Sequence, residues 1–283
     1  MAAVIVEIAK AKINLALHVL GRRDDGYHEL DSVVAFAEIG DVLTISKADQ
    51  LHLVCTGRFA GAVPQAGENI IIKAWHELAA LFAERSLKLP AVHITLEKNL
   101  PVASGIGGGS ADAAAMLRGL LRLTGQTLGA GEIAGLARSL GADVPVCFHG
   151  KACHMQGIGE NISELTISLP RAIVLVNPMV DCPTAAVFAH LNLQKGAHFK
   201  AAVDLDNPTN WRNDLSLAAL RVQPVIADVL TALGQEPEFG AVRMSGSGAT
   251  CFGLANSMAL ASAAAARLSV KHPAWWVVAA ALG

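Results

Sequence analysis

From Ala11 to Leu20 apolar and polar side chains alternate. Ile13, Leu15, Leu17 and Val19 fall on one side, and Lys12, Asn14 and His18 on the other. This two-residue period predicts a half-buried strand whose second face is polar. The Gly- and Asp-rich run 21–26 reads as a turn, and Tyr27 to Ile39 returns as a strand, making a hairpin. Asp41 to Ser46, Leu51 to Cys55 and Val92 to Lys98 read as further strands. Between them Ile70 to Glu84 changes to helical spacing through Ile71, Ala74, Leu78 and Leu81, with Asn69 placed to cap it. A Gly-rich loop, Leu100 to Gly109, then runs into an Ala/Leu-rich helix from Ser110 to about Leu123, followed by a helix from Glu132 to Leu140.

Past residue 165 strands (Ala172 to Val176, Val242 to Ser245, Thr250 to Leu254) mix with helices (Leu215 to Leu220, Val222 to Leu233, Met258 to Leu268). No regular βαβ repeat appears, so the fold class is α+β rather than a doubly wound sheet. The polar stretch Asn192 to Asn213 carries no clear periodicity and suits a loop over a site.

Composition narrows the function classes. The 283 residues are 53% hydrophobic and 16% charged, which excludes a disordered chain. The mean hydropathy of +0.43 invites a membrane reading. Yet the most apolar runs, Ala172 to Val176 and Trp275 to Leu282, fall far short of the roughly 18 residues a span needs. Ala2 to Ile5 is too short for a signal-peptide core, and the first motif begins by Ala11, so the expected location is the cytoplasm. A net charge of -2 offers no excess of cations for a nucleic-acid polymer. Five scattered cysteines form no C-x-x-C pair, and the spacing of Cys147, His149, Cys153 and His154 matches no common zinc pattern.

The strongest chemical signal is Pro101 to Ser110. Its glycines let backbone N–H groups converge, and the helix that follows adds partial positive charge at the same place, which suits a di- or triphosphate. The alternative is a plain loop with Ser110 as helix cap. A Walker A lysine and a G-x-G-x-x-G fingerprint are both missing, which argues against a dinucleotide-dependent oxidoreductase. Lys12 beside Asn14, and Asp143 in an apolar stretch, are each weak alone: one can snorkel to water and the other can serve a turn.

Taken in order, residues 11–15, Gly26 to Leu30, Pro101 to Ser110, Gly141 to Pro145 and Ser245 to Thr250 resemble the motifs of the GHMP kinases, over roughly residues 9 to 254. Within that family the first two motifs resemble the branch whose substrate is a CDP-linked methylerythritol. The resemblance implies a two-domain fold. Residues 1–162 would form an ATP-binding domain like domain 2 of ribosomal protein S5, and residues 163–283 an α/β-plait-like domain. It implies phosphorylation of the substrate's 2-hydroxyl by ATP with Mg²⁺, in the non-mevalonate isoprenoid pathway. Pro101, Val102, Ala103, Ser104, Gly105, Ile106, Gly107, Gly108, Gly109, Ser110 and Ala111 match the loop around the ATP phosphates. Lys12 and Asp143 match the catalytic pair. Tyr27, His28 and Phe188 match the residues that hold the cytosine, and Asn14 one near the substrate's polar groups. Ser110 is the one side chain placed to meet the Mg²⁺ of Mg-ATP. No membrane or nucleic-acid polymer is implied, and the oligomeric state stays open. Homoserine, mevalonate and sugar kinases of the same family, and a non-catalytic sensor, remain rivals.

Overall fold

A computed structural model describes residues 3–64, 69–199 and 202–283. The chain forms two compact units, one of residues 1–11, 40–102 and 107–150, the other of residues 12–39, 103–106 and 151–283. Two long paired strands, β1 (Val4–Arg22) and β2 (His28–Lys47), each give residues to both units.

In the first unit, Val42 to Lys47 of β2 pair antiparallel with β4 (Val92–Glu97). β4 in turn pairs parallel with β3 (His52–Thr56). Helix α1 (Ile70–Glu84) buries Ile71, Ala74, Leu78 and Phe82, a stripe at three- and four-residue spacing. Asn69 caps it, its side-chain oxygen accepting from the Ile71 N–H at 2.9 Å. Asn69→Ala should cost about 1 kcal/mol of stability, read as a lower urea midpoint at unchanged slope. Packed with α1 is α2 (Gly108–Thr124), which buries every residue from Ala111 to Leu117. α3 (Ala130–Leu140) and the short α4 (Val144–His149) complete the unit.

In the second unit, Leu30 to Val34 of β2 pair with β5 (Cys153–Gly157), and β5 with β6 (Asn161–Glu164). A separate antiparallel sheet has the order β10-β7-β9-β8, formed by β7 (Ala172–Asn177), β8 (Phe239–Met244), β9 (Cys251–Ala255) and β10 (Trp276–Ala281). β7 is buried on both faces, which explains why its sequence is a continuous apolar run. The unit's helices are α5 (Thr184–Ala189), α6 (Ser216–Val222), α7 (Val225–Gly234) and α8 (Met258–Lys271).

Three expectations need correction. Tyr27 to Ile39 and Asp41 to Ser46 are one strand, not two. Gly40 does not break it, because a Cβ there would lie 2.2 Å from the Ala9 carbonyl oxygen, so the glycine serves close approach within the pair. Helix α2 starts two residues before Ser110, capped by Gly107 in the left-handed region, and Ser110 is its third residue. Val222 belongs to α6, and Pro224 starts α7 after a break.

Candidate active site

The loop Leu100 to Gly107 leaves β4 and enters α2 through a series of left-handed residues: Ala103 at φ 51°, Gly105 at 75° and Gly107 at 65°. Gly105 has a second requirement. A Cβ on it would meet Ser245 O at 2.5 Å and Gly248 O at 2.7 Å, so no other residue lets this loop close on the loop 245–250. Side-chain and backbone bonds join the two loops: Thr250 N–H donates to Ser104 O at 3.1 Å, and the Ser245 hydroxyl to Gly105 O at 3.0 Å. Asn213 secures the far side, its Nδ2 donating to Met244 O and Gly246 O, both at 2.8 Å. The first turn of α2 has neither a side-chain cap nor an acidic residue, so its amide end stays favourable to an anion.

The polar face of β1 joins the same loops. Lys12 N–H donates to Ile106 O at 2.9 Å, and Asn14 N–H to the Ser245 hydroxyl at 3.1 Å. Lys12 is only 3% exposed, so its ammonium does not snorkel to water. Its Nζ donates to Asn14 Oδ1 at 2.9 Å. The expected neighbours Lys12 and Asn14 are thus in contact.

At the turn after β1, Tyr27 stands 58% exposed, with its backbone N–H on Asp25 Oδ1. His28 opens β2 and packs its ring 4.7 Å from that of Phe188 on α5, tilted by 36°. His28 Nε2 is buried and has no hydrogen-bond partner among the described residues. Burial, and secondarily the Arg22 guanidinium, hold the imidazole below its usual pKa, so it is neutral at neutral pH. Asp143 lies in the first unit and precedes α4. Its carbonyl accepts from Cys147 N–H at 3.1 Å, and its carboxylate makes no capping bond. Of the cysteine–histidine group, Cys147 and Cys153 are buried thiols, and the His154 ring meets Asp31.

Two family models match this chain, GHMP kinases N terminal domain over residues 69–151 and GHMP kinases C terminal over residues 201–272. A 4-diphosphocytidyl-2-C-methyl-D-erythritol kinase of Paramagnetospirillum magneticum is 47% identical over 97% of both chains. One of Bradyrhizobium sp. is 44% identical over 98% of this chain and 96% of its own. This chain belongs to the 4-diphosphocytidyl-2-C-methyl-D-erythritol kinases of the GHMP family. A crystal structure of a 4-(cytidine 5'-diphospho)-2C-methyl-D-erythritol kinase superposes with a TM-score of 0.79 at 31% identity, covering 99% of each chain. A homoserine kinase from Cytophaga hutchinsonii, at 17% identity and a TM-score of 0.68 over 98% of this chain and 94% of its own, shares the fold. The α+β class is that of the family.

One feature of this kinase had no sequence signal. In the first unit, Lys98 Nζ bridges two buried carboxylates, Asp41 Oδ2 at 2.5 Å and Asp112 Oδ2 at 2.6 Å. Asp41 Oδ1 accepts from the N–H groups of Asn99 and Leu100 at the entry to the Gly-rich loop. Asp112 lies one turn into α2, and its Oδ1 is buried without a partner among the described residues. The cluster therefore ties the start of the loop to the helix that follows it. Lys98 read as the end of a strand and Asp112 as one polar residue in an alanine run, so neither pattern nor spacing marked them. Among the described residues, no helix is long and apolar enough to cross a membrane.

Proposed function

We propose that this kinase transfers the γ-phosphoryl group of ATP to the 2-hydroxyl of 4-diphosphocytidyl-2-C-methyl-D-erythritol, in the cytoplasm, as a step of the non-mevalonate isoprenoid pathway. The observation that carries the substrate is the His28–Phe188 ring pair with its buried, unpartnered ring nitrogen. Such a nitrogen favours a ligand that brings a hydrogen-bonding edge together with a π-face, as cytosine does. Near full-length similarity to kinases named for that substrate supports the same reading.

In this reading Tyr27 adds a second aromatic surface, and residues 101–111 receive the ATP phosphates on glycine-freed amides and the end of α2. Asp143 takes the proton of the attacking hydroxyl, and the Lys12 ammonium stabilises negative charge on the moving phosphoryl group. Asn14 retains one amide proton and one lone pair beyond its two side-chain bonds, enough for a substrate contact. Among the described residues no group of three His, Cys, Asp or Glu side chains could hold a metal. Mg²⁺ would therefore arrive on the nucleotide, where it neutralises phosphate charge, with the Ser110 hydroxyl as its protein ligand. The proposed domains, 1–162 and 163–283, divide the chain between the two segments the family models match.

A substrate panel tests the proposal. ATP consumption with the CDP-linked methylerythritol, and none with CDP, mevalonate or homoserine, is the expected outcome; turnover of one of the latter instead would reassign the substrate. The pH profile tests His28 separately. Because its folded pKa lies below the ordinary 6.5, the neutral ring persists through neutral pH. The KM for the cytidyl substrate should stay flat from alkaline to neutral pH and rise only under more acidic conditions, while the KM for ATP does not follow it. A rise already complete at neutral pH would remove His28 from the base contact.

A further inference from the structure

We propose that Ser32 is a positioning residue for Lys12, fixing the Asn14 amide so that its oxygen faces the ammonium. The inference rests on the reading of Lys12 as the cation of phosphoryl transfer. All four residues involved belong to one unit: Lys12, Asn14 and Ala16 on β1, and Ser32 on the paired strand β2. Asn14 and Ser32 are 1% and 0% exposed, so water does not substitute for a lost partner there.

The order of donors follows from which atoms carry protons. Ala16 O can only accept, so at 2.5 Å the Ser32 hydroxyl must give its proton to it. With that proton committed, Ser32 Oγ can only accept from Asn14, and Asn14 Nδ2 lies 2.8 Å away. Asn14 Oδ1 then points the other way, 2.9 Å from Lys12 Nζ. Turning the amide over would set oxygen against a protonless oxygen at one end and an NH₂ against an ammonium at the other. Asn14's backbone cannot shift to relieve this, because its N–H is held by the Ser245 hydroxyl at 3.1 Å.

One of the three ammonium protons is thereby assigned, and the tetrahedral geometry restricts the directions of the other two. Ser32 thus acts on Lys12 without touching it. In Ser32→Ala, the Asn14 NH₂ loses its anchor in a dry site, the amide gains rotational freedom, and the ammonium loses a fixed acceptor.

The test uses the full chain as Ser32→Ala, Ser32→Thr and Ser32→Cys. Cysteine fills the same space with a poor acceptor, so it reports on the hydrogen bond if the alanine variant folds badly. In Ser32→Ala and Ser32→Cys, kcat should fall by about tenfold, toward the ~100-fold a misplaced group can cost, with the KM for ATP unchanged. Ser32→Thr, which keeps the hydroxyl, should recover kcat. With ¹⁵N-lysine labelling, the Lys12 ammonium signal, assigned by its loss in Lys12→Met, should broaden in the alanine and cysteine variants and stay sharp in the threonine variant. A folded Ser32→Ala or Ser32→Cys with normal kcat and an unchanged Lys12 signal would overturn the proposal. Normal kcat in Lys12→Met would instead overturn the catalytic reading of Lys12, and the ammonium signal alone would then decide the role of Ser32.

Discussion

Asp143→Asn should lower kcat by about 10²–10⁴-fold, the range supplied by a positioned general base, while ATP still binds. The substitution isolates the chemistry. Asparagine has the same shape, tolerates the turn conformation at φ -87° and ψ -10°, and suits the position before a helix as well as aspartate does. The bond its carbonyl accepts from the Cys147 N–H uses the main chain and survives the change. What disappears is the lone pair that receives a proton. Steady-state kinetics and ATP titration of the same preparation separate the two outcomes. Loss of ATP affinity in step with kcat would place Asp143 in nucleotide binding, and wild-type kcat would mean that another group is the base.

Lys98→Met should give the largest loss of stability, about 3–5 kcal/mol, because it leaves the buried Asp41 carboxylate without its cation and the Asp112 carboxyl without its partner. Both Asp41 and Asp112 are almost fully buried; burial first, with Lys98 opposing and Asp41 adding to the rise, leaves the Asp112 carboxyl raised to about 8. Lys98 itself is raised: burial works against its charge, and the two carboxylates outweigh that. Adding Asp112→Asn to Lys98→Met should change little at neutral pH, since the Asp112 carboxyl already holds its proton there.

The sign of the pH effect follows from the same cluster. The Asp112 carboxyl binds its proton more tightly folded than at its ordinary value of 3.8. Its contribution to stability is therefore fully present in acid below that value and is lost as pH rises through about 8. Urea titrations from acid to mildly alkaline pH should show this fall in the wild type and a shallower one in Asp112→Asn. A parallel dependence in both would mean that Asp112 ionises as an ordinary carboxyl.

Long periodic segments could be read from the sequence because packing repeats along them. α1 was legible to its ends, since its apolar stripe and the Asn69 cap are both local features, although the stripe closes on Phe82 in place of Leu81. β1 was legible as a strand where its alternation runs, although both of its faces there are buried and not one; it begins earlier, at Val4, where apolar Val4, Val6 and Ile8 are exposed and Glu7 is buried, the reverse of what composition suggests. β5, β6 and α4 were not read as elements. They are four to six residues long, and what makes them regular is a neighbour distant in sequence, such as Leu30 to Val34 for β5.

The site divides in the same way. Glycine density before a helix announced the left-handed loop that enters α2, because backbone freedom is written in residue type. Contacts such as Ser32 with Asn14, or Lys98 with Asp41, depend on which strands are paired, and a single serine or lysine carries no mark of that. The capping of α2 shows the limit from another side. Reading for a polar cap selected Ser110, whereas the chain uses the left-handed freedom of Gly107 and leaves the amide end uncapped.

The distribution of partners along β1 and β2 also has a consequence for synthesis. Leu17 bridges to Asn213, the Val19 N–H to the Asp214 carboxylate, the Asn14 N–H to Ser245, and Phe36 exchanges both backbone bonds with Gly283. These strands therefore meet several of their partners far along the chain, 231 residues away for Asn14 and 195 for Val19. A nascent chain must hold this long apolar hairpin, with part of its bonding unmet, until those distant residues have been made, and closing such pairings is entropically slow.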